Sequence, residues 1–102
     1  MTMSKFGLYT KFITHESERD SLADILLEAA KGMESVEGCD LYVINIPDDE
    51  PDAVWVTEIW SDPSAHQASL SLDQSKTLIQ KARPLIVGVE QIKLSAIGGR
   101  GI

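Results

Sequence analysis

The spacing of apolar residues changes its period several times along this chain, and each change marks a new element. From Phe6 to Ile13 the apolar side chains Phe6, Leu8, Tyr9, Phe12 and Ile13 crowd into a short β-rich run. Leu22, Ile25, Leu26, Ala29, Ala30 and Met33 then recur at helical spacing, a single stripe that predicts an amphipathic helix. Thr14–Ser17 supplies candidate cap oxygens, and Glu16, Glu18 and Asp20 favour a helix N-terminus through the dipole. Gly38 stops the chain, and Leu41–Ile46 reads as a second strand ended by Pro47. Ala53–Trp60, rich in Val, Ile, Thr and Trp, is a third strand. The acidic linker between them is short enough for a hairpin. Asp62 and Pro63 form a strong helix start. The polar helix that follows, with a break near Ser71–Asp73, runs to about Ala82, where Pro84 ends it. Ile92–Ile97 is the fourth strand, and Gly98–Ile102 is expected to be a mobile tail.

The order is β-α-β-β-α-β, the split pattern of an α+β ferredoxin-like domain with a four-stranded antiparallel sheet and helices on one face. A chain of 102 residues holds one such domain, here 1–102 with a core at about 5–97. The third strand is apolar on both faces, yet two helices cover only one. An open second face exposes more apolar surface than soluble monomers carry. Burying a large apolar side chain is worth about 1.5–3 kcal/mol, so a homodimer packed sheet to sheet is the expected solution.

Composition narrows the function. A net charge of −7 repels phosphate backbones and anionic lipid, so no nucleic-acid or membrane partner is expected. The single cysteine, Cys39, excludes an internal disulfide and a Cys-based zinc site, and reads as a small buried thiol. Met1–Lys5 lacks the apolar run of a leader, and no stretch reaches the length of a membrane span. The expected location is cytoplasmic.

Two segments carry a resemblance. Gly38, Cys39, Asp40, Leu41 and Tyr42 follow the helix as in the "pGcl.y" pattern, and Thr57, Glu58, Ile59, Trp60, Ser61 and Asp62 with Ala65 match "E.[YW].d..A". Together, on this topology and over residues 5–97, they resemble the antibiotic biosynthesis monooxygenase (ABM) family of the dimeric α+β barrel group. The resemblance implies a pocket between sheet and helices, no metal or flavin and no other cofactor, and O2 reacting with a small electron-rich aromatic such as a quinol, anthrone or phenol. Many members carry a histidine where this chain has Ser69, while His66 lies one turn earlier. The Asn and late His of haem-degrading relatives are absent, which disfavours that activity.

On this reading Glu58 and His66 are the candidate catalytic base residues. Trp60, two residues from Glu58 on the same strand face, is a stacking wall, and Tyr42, Tyr9 and Ser69 complete the substrate-binding set. Trp55, of opposite parity, is expected in the dimer interface, and His15 at the surface. Each assignment has a bland counterpart: Glu58 paired with a lysine or capping a backbone group, Trp60 simply core, His66 facing solvent. The functional alternative is a non-catalytic dimer that binds a small molecule or serves in a stress response.

Overall fold

The computed structural model describes residues 4–102. The reading of residues 1–3 as free of a leader lies outside the described residues. Seven elements follow in the order β1 (Lys5–Thr14), α1 (Arg19–Gly32), β2 (Cys39–Asn45), β3 (Ala53–Trp60), α2 (Pro63–Ser69), α3 (Asp73–Ala82) and β4 (Ile86–Ala96). The sheet is fully antiparallel with strand order β2-β3-β1-β4, the ferredoxin-like arrangement.

Side chains alternate across a strand, so the registers define the two faces. Leu8 opposite Glu58, Thr10 opposite Val56, and Phe12 opposite Val54 share the face beneath the helices. The stripe of α1 lands on it: Leu22, Ala23 and Leu26 pack with Val54, Val56 and Ala82, flanked by Phe12, Ile25, Tyr42 and Ile44. Tyr9, Leu41, Val43, Ile92 and Leu94 lie on the other face and are exposed in the single chain.

Several boundaries differ from the expectation. The caps predicted at Thr14–Ser17 are not used. Thr14 belongs to β1, its amide donating to the Asp52 carbonyl at 2.8 Å, and α1 starts at Arg19 behind Glu18, without a side-chain cap. Ser17 instead turns the chain with φ +69°. The fourth strand begins six residues earlier than Ile92. Pro84 closes α3 in the 3-10 turn Arg83–Leu85, and the β-branched Ile86 and Val89 then pair with Thr14 and Phe12 of β1, the register slipping at Val87 between them. The expected break in the second helix is present between α2 and α3. Ser69 helps to end α2 by donating its hydroxyl to the His66 carbonyl at 2.6 Å.

Two local devices place α2 over the sheet. Asp62 Oδ1 accepts the Ala65 amide at 2.8 Å, with Pro63 in the first turn. Gly38 holds φ +89° at the start of β2, and a Cβ there would meet the Ala65 Cβ at 2.7 Å. Glycine is therefore required both by the backbone and by the close approach of α2.

Candidate functional site

A cleft of about 460 Å³ opens between the helical layer and the covered face of the sheet. Its volume falls in the range that takes a small organic ligand. Aliphatic side chains form most of the wall, among them Leu26 from α1, Met33 from the turn that follows it, and Leu78 and Ile79 from α3. Leu70, Ile79 and Val89 stand exposed at its margin.

Glu58 and His66 meet in this cleft. Glu58 projects from the middle of the sheet, paired with Leu8 on one side and Tyr42 on the other, and is buried to 8% exposure. Its Oε1 accepts the Trp60 indole N–H at 3.0 Å and lies 3.9 Å from His66 Nε2. That separation is too long for a hydrogen bond. Burial pushes the Glu58 carboxyl above its ordinary range, opposed in part by the Trp60 hydrogen bond. His66 is pushed down by burial and, to a lesser degree, by the nearby charge of Lys93. Both groups are thus biased toward their neutral forms, and the proton-accepting imidazole is available at neutral pH. The ring is fixed by Trp60, edge-on at 5.5 Å, and by Phe6 at 5.8 Å.

Tyr42 and Ser69 also line the cleft. Burial and the Glu58 charge raise the Tyr42 phenol strongly, so it stays a hydroxyl donor. Ser69 is buried and its hydroxyl is occupied by the His66 carbonyl, so it supplies no acid-base group. Two expected residues lie elsewhere. Trp60 has no exposed surface and does not line the cleft. It sits at the end of β3 beneath α2, so it supports Glu58 and His66 from behind instead of stacking on a ligand. Tyr9 pairs with Thr57 and Ile92 on the opposite face, so it is absent from the cleft. Cys39 is half-buried, and its thiol is pushed up chiefly by burial. His15 is exposed as expected.

Sequence reasoning missed Thr10, Gln91 and Ser75. Gln91 donates to Thr10 Oγ1 at 3.1 Å across the β1–β4 pair, and both line the cleft. The two are far apart in sequence, so no local pattern joins them. Ser75 lies one helical turn before Leu78, Ile79 and Ala82, at the spacing of that stripe, and this is the signal that marks it as inward-facing. Among the described residues no group of three or more His, Cys, Asp or Glu side chains is placed to hold a metal ion, and no helix is long and apolar enough to cross a membrane.

The chain is similar to several solved structures. A candidate antibiotic biosynthesis monooxygenase from Chloroflexus aurantiacus J-10-fl is 40% identical, with a TM-score of 0.88 over 97% of this chain and 99% of that one. A protein from Pseudomonas aeruginosa (13% identity, TM-score 0.86, covering 96% and 99%) shares the fold. So does a candidate antibiotic biosynthesis monooxygenase from Caulobacter crescentus CB15 (18% identity, TM-score 0.84, covering 95% and 93%). No curated protein matched the sequence. Residues 6–81 match the family model described as antibiotic biosynthesis monooxygenase, and with the signature residues Gly38, Glu58 and Ala65 at the joints that build the cleft, the chain belongs to the ABM family.

Proposed function

We propose that the chain is a cofactor-independent monooxygenase acting on a small electron-rich aromatic, of the phenol, quinol or anthrone kind, held in the cleft. The observation that carries this reading is the Glu58–His66 pair, 3.9 Å apart, at the wall of a mostly aliphatic hollow. A base in a dry, shaped site is what such a substrate needs in order to become an electron-rich anion.

For an anthrone-type methylene the chemistry runs as follows. The base accepts the C–H proton, leaving a resonance-stabilised carbanion. The anion gives its electron pair to O2 by way of one-electron transfer and radical recombination, and a C–O bond forms as a hydroperoxide. Loss of the second C–H proton with cleavage of the O–O bond releases water and leaves a ketone, so CH2 and O2 become C=O and H2O. The substrate supplies all the electrons. Tyr42, with its proton firmly held, donates a hydrogen bond to the oxyanion. Trp60 and Phe6 keep the imidazole ring in place.

Two copies are further proposed to pair through the faces bearing Val43, Ile92 and Leu94, which the chain's own helices leave uncovered. A second reading keeps this dimer and the cleft but without turnover, as a small-molecule-binding protein. It is favoured by Ser69, whose hydroxyl is spent on backbone and which adds no proton-transfer group.

Oxygen uptake with a panel of quinols and anthrones tests the enzyme reading. The wild type should consume one O2 per ketone formed. Glu58→Gln and His66→Ala should each lose about 10²-fold or more, the size of a positioned base. If no compound raises uptake above the buffer rate, the binding reading replaces the enzyme. Activity that survives both substitutions would remove the base assignment.

A further inference from the structure

Polar atoms in the cleft fall into separate groups. Glu58, His66 and the Thr10–Gln91 pair lie toward the sheet: Glu58 accepts from Trp60, Gln91 donates to Thr10, and His66 stands 3.9 Å from Glu58. Ser75, in the first turn of α3, stands on the helical wall instead. It is 7% exposed, and its Oγ is buried without a hydrogen-bond partner. Buried hydroxyls are nearly always bonded, so an orphan of this kind asks for an explanation.

A structural role does not supply one. Alanine is a better helix former than serine and would leave no unpaired group, so the fold alone favours alanine at this position. Ser75 is also the polar member of the partition between this cleft and a second hollow of about 400 Å³ between α1 and α3, whose other shared residues are Ala29, Met33 and Leu78. An unpaired hydroxyl set in an apolar wall costs the empty protein stability and is repaid only when a polar atom comes to it.

We infer that Ser75 is a ligand-binding residue whose hydroxyl bonds a second polar group of the ligand, a hydroxyl or carbonyl distinct from the one facing Glu58 and His66. The inference rests on the reading that this cleft takes a small aromatic molecule. It adds a selection: aromatics bearing oxygen at two separated positions bind in preference to those bearing one. The surrounding partition is apolar, and Ser75 offers no counter-ion.

The test is calorimetric binding without oxygen, using 1,4-dihydroxynaphthalene and 1-naphthol with wild type, Ser75→Ala and Ser75→Cys. Wild type should bind the diol roughly five- to tenfold more tightly, the worth of one added hydrogen bond. Ser75→Ala should abolish that preference, leave 1-naphthol affinity unchanged, and melt at the same temperature or higher. Ser75→Cys, close in size and a weak donor, should retain part of the preference. Equal binding of both compounds to wild type overturns the Ser75 inference while the cleft reading stands. So does a preference that persists in Ser75→Ala, or an equal loss for both compounds together with a lower melting temperature. Failure of wild type to bind either compound removes both readings.

Discussion

The two faces of the sheet are built from alternating residues of the same four strands, yet they end in opposite conditions. Beneath the helices Leu8, Val54, Val56 and Trp60 are at most 1% exposed. One residue along, on the other face, Tyr9 and Val43 are 40% exposed, Leu94 43% and Ile92 49%. The covered face is closed by the chain's own α1 and α3 and keeps a cleft because the helical layer does not fill it. The uncovered face also carries large apolar side chains, and among the described residues no helix packs over them. Soluble monomers rarely carry a contiguous apolar patch beyond about 300–600 Å². The contrast separates two tasks: one face folds the protomer around a cleft, while the other is the face through which a second copy is proposed to pair.

The largest effect should come from spoiling the uncovered face. Val43→Asp with Ile92→Asp removes two apolar side chains per protomer, each worth about 1.5–3 kcal/mol when buried, and a two-fold interface counts every change twice. The dimer dissociation constant should rise at least about a thousandfold. Sedimentation should show wild type at twice the 11.2 kDa chain mass and the variant at the chain mass. A wild type that sediments as a monomer at micromolar concentration would end the interface proposal and leave the cleft untouched.

A smaller effect is expected from the matching experiment on the covered face. Trp60→Ala empties a fully buried site and takes away the hydrogen-bond donor of Glu58. It should cost about 3–5 kcal/mol in a urea unfolding series. Trp55→Ala, on the other face and only half-buried in the protomer, should leave protomer stability within about 1 kcal/mol and weaken dimerisation instead. Equal losses in protomer stability would show that the two faces do not divide folding from assembly.

Much of this division was legible in the sequence, because period and parity are local properties. The helical stripe from Leu22 to Met33, the hairpin and the Asp62–Pro63 start all follow from a few consecutive residues, and so does the shared face of Glu58 and Trp60. What parity does not give is depth. Trp60 lies on the same face as Glu58 but under α2, so it is core rather than cleft wall. The face of Tyr9 is not legible because β1 is apolar at both parities, and only its register with Thr57 and Ile92 assigns it. The start of β4 was hidden by Gly88, which interrupts the β-branched run between Ile86 and Val89. Thr10 and Gln91 come together only through strand pairing.

The smallest effect concerns the charge that the covered face has to accommodate. Burial raises the Glu58 pKa in the folded protein, so between the ordinary carboxyl value near 4.5 and its folded value the native state holds a proton that the unfolded chain has released. Stability therefore falls as pH rises through that window and stays lower above it. His66 acts in the opposite direction: its folded pKa is depressed, so stability is lost as pH drops from about 6.5 toward the folded value. Gln keeps an acceptor for the Trp60 indole and carries no charge. Glu58→Gln should accordingly melt above wild type at pH 8 and match it near pH 4. The same substitution should suppress oxygen uptake, giving a variant that is more stable and less active. A variant less stable than wild type at pH 8 would show that the carboxylate holds the covered face together, and that Glu58 belongs to the architecture of the core rather than to its chemistry.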